Sequence, residues 1–223
     1  MFNTGLELVT GLTDIPLFLE CLFIARVAHK AKGDSQIKRG WIELGLTVSV
    51  TVFIGVVLHC VVIDNGLLRF LWPAEYILMM DSVRRFWLQM ISVTKGAETS
   101  KKWKGAINVF CLVSCVLNTY FYFAHDWDQS IIFSVFSVPA AICIGLLVMK
   151  AEGEDGRFVR RRFIAASAIL VSSVLTDALI NEPFTLFGIP FYGASLSHLL
   201  TITAVVILIP VVARSSDEKY EIS

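Results

Sequence analysis

The chain has 223 residues and a mass of 24.8 kDa; 56% of the residues are apolar, 17% are charged, and the mean hydropathy is +0.70. Folding alone cannot hide that much apolar surface in so small a chain, so the composition excludes a soluble globule and places the protein in lipid. Its 19 basic and 19 acidic residues sum to zero, which argues against a nucleic-acid partner and makes the position of each charge more informative than the total.

A helix crosses a hydrocarbon core of roughly 30 Å with about 20 residues. Runs of that length lie at approximately 5–29, 41–63, 72–94, 105–124, 130–149, 163–182 and 192–213. None shows the period-2 alternation of a membrane barrel, and open strands are excluded because lipid leaves their backbone groups unpaired. The expected fold is an all-α integral membrane bundle of seven transmembrane helices. It forms one membrane domain over 1–213, followed by a polar cytoplasmic tail over 214–223. Residues 1–10 (MFNTGLELVT) have no basic n-region, so the first helix is expected to remain as a span.

Alternate loops carry nearly all the cations: Lys30, Lys32, Lys38 and Arg39; then Lys95, Lys101, Lys102 and Lys104; then Lys150, Arg157, Arg160, Arg161 and Arg162. With Arg26, Arg214 and Lys219, 16 of the 19 basic residues fall on one side. The positive-inside rule then puts the N-terminus outside and the C-terminus in the cytoplasm. The sequence does not separate a bacterial plasma membrane from a eukaryotic endomembrane. The five cysteines (Cys21, Cys60, Cys111, Cys115, Cys143) lie within spans without a CxxC pair, and read as small apolar core residues.

An ionised side chain at the bilayer centre costs roughly 2.5–3.5 kcal/mol, so each is a candidate for function. Asp14 in helix 1, His59 in helix 2, Asp81 in helix 3, Asp177 in helix 6 and His198 in helix 7 fall in the expected outer half. Polar stripes at helical spacing accompany them: Glu7, Thr10 and Asp14; Ser173, Asp177 and Asn181; Ser195, His198 and Thr201. Imidazoles and carboxylates converging at one depth have the composition of a zinc or other divalent-metal site.

A purely structural reading stands beside this one. Asp81 lies three and four residues before Arg84 and Arg85, and Glu20 is available to the second arginine, so these four residues suffice for a buried network. A lone histidine on an apolar helix is more often a hydrogen-bonded structural group than a ligand. Asp14 and Asp177 are harder to assign structurally, because no cation lies in the outer half of helices 1, 2, 6 or 7. Trp41, Trp72, Trp87, Trp103 and Trp127 read mostly as an interfacial belt, and Asp126 and Asp128 beside His125 as part of a headgroup anchor.

A histidine near the outer end of helix 2 (GVVLHCVVID), a tryptophan turn (RFLWPAEY), a helix-3 aspartate, a helix-7 histidine (SLSHLLTI) and Leu12-Thr13-Asp14 in helix 1 together resemble the CREST superfamily. That superfamily includes the alkaline ceramidases and the adiponectin/progestin receptors. The likeness covers the chain in topology and a few short patches in sequence. It implies zinc held by His59 and His198, with Asp81 assisting hydrolysis of a lipid amide. The chain departs from the pattern in three places, one of them a spacing from His59 to Asp81 longer than the ceramidase pattern implies. Ala194 and Ile202 stand where a second helix-7 histidine belongs, and Gly55 stands where a helix-2 serine does.

The expected activity is metal-dependent hydrolysis of a lipid amide or ester. His59 and His198 bind zinc with Asp177 or Asp14, and Asp81 acts as general base or orients the water. The expected partners are membrane lipids and a lipid substrate. The alternatives are a binding or transport protein whose buried acids handle protons or a cationic ligand, and a non-catalytic subunit of a membrane complex.

Overall fold

A computed structural model describes residues 5–32, 36–61, 65–125, 153–180, 182–186 and 188–217, together with 135, 137–138, 140–142 and 144–145. Six long helices form among them: α1 (Leu6–Lys30), α2 (Gln36–Cys60), α3 (Asn65–Lys95), α4 (Ala97–His125), α5 (Gly153–Leu179) and α6 (Gly193–Ser215). A hairpin of β1 (Phe184–Leu186) and β2 (Ile189–Phe191) separates α5 from α6. The expected span at 130–149, with Cys143, lies largely outside the described residues, as do Asp126, Trp127, Asp128, Asn181 and the tail beyond 217.

Five of the described helices, α1, α2, α4, α5 and α6, are long and apolar enough to cross a membrane. The chain is a multi-pass helical membrane protein. α3 is the longest at 31 residues, but Arg69, Glu75, Asp81, Arg84 and Arg85 interrupt its apolar run.

Four helices start earlier than hydropathy alone places them: α2 at Gln36, α3 at Asn65, α4 at Ala97 and α5 at Gly153. An oily run marks the part of a helix that suits lipid, whereas the backbone ladder continues through charged residues wherever water can solvate their side chains. Lys101, Lys102, Lys104 and Arg157–Arg162, expected in loops, therefore lie in the opening turns of α4 and α5. Only Gly96 separates α3 from α4. Its φ of 85° and its N–H bonded to the Ser92 carbonyl at 3.0 Å stop α3 in a left-handed cap.

The hairpin was not expected from the sequence. Eight residues are too few for a stable helix, and antiparallel pairing of Phe184 with Phe191 and Leu186 with Ile189 satisfies their backbone instead. The Phe184 and Phe191 rings stack at 6.2 Å.

α1 packs on both α2 and α6, α2 on α3, α3 on α4, and α5 on α6 and α3. The shared core contains Trp41, Tyr76, Met80, Met90, Phe163 and Val211. Trp41 Nε1 donates to Ser215 Oγ at 2.8 Å, which ties the start of α2 to the end of α6. Leu19, Phe23, Val50, Phe53, Leu112 and Val116 are exposed, as faces turned to lipid require.

Candidate functional site

Glu7, Thr10 and Asp14 recur along α1 at three- and four-residue steps, so they share one face. That face meets the last turn of α2, which carries His59, and the second turn of α6, which carries His198. Glu7 Oε2 lies 2.7 Å from His59 Nδ1. Asp14 Oδ1 lies 3.0 Å from His198 Nδ1, and Thr13 Oγ1 lies 3.1 Å from the same nitrogen.

The charge of each carboxylate sets the role of the ring nitrogen it faces. An ionised carboxylate only accepts, and Thr13 already donates its hydroxyl proton to the Thr10 carbonyl at 2.6 Å. Facing an ionised carboxylate, an imidazole nitrogen is the donor, and His198 makes a further hydrogen bond to the Thr10 backbone. The two rings stand with centroids 6.2 Å apart, and Trp72 of α3 packs on His59 at 5.3 Å.

The polar stripes expected from helical spacing close on one another. The hydroxyls of Thr10 and Ser195, both fully buried, share a hydrogen bond of 2.8 Å between α1 and α6. Those of Ser173 and Thr201 share one of 2.8 Å between α5 and α6. These bonds remove unpaired hydroxyls from lipid and hold α6 in rotational register, which presents His198 to Asp14.

α3 adds a carboxylate that the sequence reading did not single out. A Cβ built on Gly55 of α2 would lie 3.0 Å from Glu75 Oε1 and 3.2 Å from Asp14 Oδ2, so both carboxylates approach the space that a side chain at 55 would fill. A side chain at this position would press on the ends of both carboxylates, which would have to give by a few tenths of an ångström. Glycine here makes room for two acids. Glu75 escaped notice because hydropathy begins the third span at 72, placing it at the membrane edge. With α3 starting at Asn65, Glu75 lies ten residues into the helix.

Asp177 lies near the end of α5, within electrostatic reach of Glu75 and Tyr192. Tyr192, between the hairpin and α6, donates to Glu7 Oε1 at 3.4 Å. The cluster thus gathers Asp14, His59 and His198 with Glu7 and Glu75, and Asp177 lies within electrostatic reach on α5.

Asp81 is held elsewhere. Arg84 Nε donates to its Oδ1 at 2.8 Å and Arg85 Nε to its Oδ2 at 2.7 Å, so both carboxylate oxygens are engaged within α3. Arg85 continues to Glu43 Oε2 on α2 at 2.9 Å. The network closes on Glu43 and not on Glu20. Six residues separate Asp81 from Glu75, about one and two-thirds turns, which carries Asp81 to another face of α3 and makes Glu75 the α3 carboxylate of the cluster.

Among the described residues, no three His, Cys, Asp or Glu side chains stand as a ready-made set of metal ligands. The fold and the cluster together define a multi-pass helical membrane protein with a part-buried site of imidazoles in contact with carboxylates. Compared with known proteins, the chain matches no family model, no curated protein and no solved structure.

Proposed function

We propose that the protein is an integral membrane hydrolase of a lipid amide or ester, of the kind the CREST resemblance suggests, with a divalent metal such as zinc bound at His59 and His198. The observation that supports this reading is the pair of carboxylate–Nδ1 contacts. Proteins fix metal-binding imidazoles by this arrangement, which leaves the Nε2 lone pair as the ligand. Two imidazoles alone do not complete a site, and the reading takes Glu75 or Asp177 as the third protein ligand, since these bring the further negative charge. The metal, when bound, polarises a carbonyl oxygen and acidifies a water. In this reading Glu7 and Asp14 orient the rings, and the carboxylate not used as a ligand accepts the proton of the attacking water. The positive-inside rule sets the basic ends of the helices in the cytoplasm and the cluster in the outer half of the membrane.

Metal analysis of the purified protein tests the reading. Stoichiometric metal is expected in wild type and is lost in His59→Ala/His198→Ala, while Glu7→Gln lowers affinity about 10–100-fold. A wild-type protein without stoichiometric metal, or unchanged content in the double variant, overturns it.

The approach of Asp14 and Glu75 over Gly55 favours a second reading, binding of a cationic ligand or of protons. It predicts that Asp14→Asn or Glu75→Gln abolishes binding, whereas His59→Ala/His198→Ala does not.

A further inference from the structure

Glu20 belongs neither to the histidine cluster nor to the network around Asp81. It sits in the middle of α1, ten residues before Lys30, where the membrane-spanning stretch Glu7–Lys30 ends. At about 1.5 Å per residue this is roughly 15 Å from the inner end, the centre of a hydrocarbon core roughly 30 Å thick. Leu19 and Phe23 beside it are 56% and 48% exposed, so this part of α1 borders lipid, and Glu20 is part-buried at the edge of that face.

The Glu20 Oε2 atom is enclosed and has no hydrogen-bond partner among the described residues. α1 packs on α2 and α6. The charged and titratable side chains of those helices are Lys38, Arg39, Glu43, His59 and Cys60 on α2, and His198 and Arg214 on α6. None of them forms a hydrogen bond or ion pair with Glu20. Within α1, Cys21 lies in electrostatic reach of Glu20, and a thiol offers it no positive charge. An ionised carboxylate at this depth needs a cation or several donors, and lipid supplies neither. One bound proton removes the charge. We propose that Glu20 is a lipid-facing proton-binding site at the centre of the membrane, filled at neutral pH and open there to covalent modification by a hydrophobic carbodiimide. The site is independent of the proposed hydrolase activity.

The reaction needs that proton. The carboxylic acid adds across one C=N bond of the carbodiimide, its proton going to nitrogen and its oxygen to the central carbon. The acyl carbon then leaves that oxygen for the neighbouring nitrogen, which gives a stable N-acylurea with every atom retained. A carboxylate brings no proton to the first step. Dicyclohexylcarbodiimide, added at neutral pH to the full chain in phosphatidylcholine vesicles and followed by peptide mass spectrometry, tests the proposal. An adduct on Glu20 is expected in wild type and is lost in Glu20→Gln. The charged, water-soluble ethyl(dimethylaminopropyl)carbodiimide is expected to leave Glu20 unlabelled, because it does not enter the hydrocarbon core. Absence of the Glu20 adduct with dicyclohexylcarbodiimide overturns the proposal, as it would if a cation from another chain kept the group ionised. Equal labelling by the two reagents overturns it as well, because the carboxyl would then face water. Peptide mapping locates the adduct in wild type itself, so the result stands even if Glu20→Gln does not fold.

Discussion

His198 Nδ1 on α6 lies 3.0 Å from Asp14 Oδ1 on α1, with the carboxylate 5% and the imidazole 20% exposed. The pair joins the first described helix to the last, and removing His198 takes the imidazole from the buried Asp14 carboxylate. Asp14→Ala and His198→Ala are each expected to destabilise the protein by about 2–4 kcal/mol. The double variant should fall short of the sum by about 1–3 kcal/mol. Denaturant unfolding of the detergent-solubilised variants measures the cycle, and strict additivity would show that the two residues do not couple.

Gly55 is where α2 yields to the acids of its neighbours. A methyl group there meets Glu75 Oε1 at 3.0 Å and Asp14 Oδ2 at 3.2 Å, so Gly55→Ala is expected to cost roughly 1–3 kcal/mol. The same substitution in a Glu75→Ala background should cost less, because one of the two obstructing side chains is gone. An equal penalty in both backgrounds, read from thermal unfolding, would show that Glu75 does not occupy that space.

Asp81 accepts from two arginines and is 32% exposed, so part of its charge is screened by its surroundings. Asp81→Asn is expected to lower stability by about 1–2 kcal/mol, because Arg84 and Arg85 lose a shared charged acceptor. Ligand or metal content at the histidine cluster should stay at the wild-type level. Loss of that content with unchanged stability would return Asp81 to the cluster.

The helical membrane character was legible in the chain because transfer into lipid depends on composition over some twenty residues, which needs no partner to be counted. The stripes of Thr10 and Asp14, and of Ser195 and His198, were legible for a related reason, since helical spacing sets a face before any contact is made. Glu75 was not, because its depth depends on where α3 starts, and the charged residues before 72 hid those first turns. Tyr192 and the hairpin were equally hidden, because an eight-residue pairing in a link between spans leaves no periodic signature.

Asp14, His59 and His198 were singled out from residue type and depth alone, because the cost of a buried ionisable group is a property of that group and its solvent. Which groups meet is a different matter. Asp81 and Glu75 lie on one helix with the same chemistry, yet one is taken up by Arg84 and Arg85 and the other comes to Gly55 beside Asp14. Helix rotation and the packing of α1 between α2 and α6 make that choice, and both arise from contacts between residues far apart in the chain.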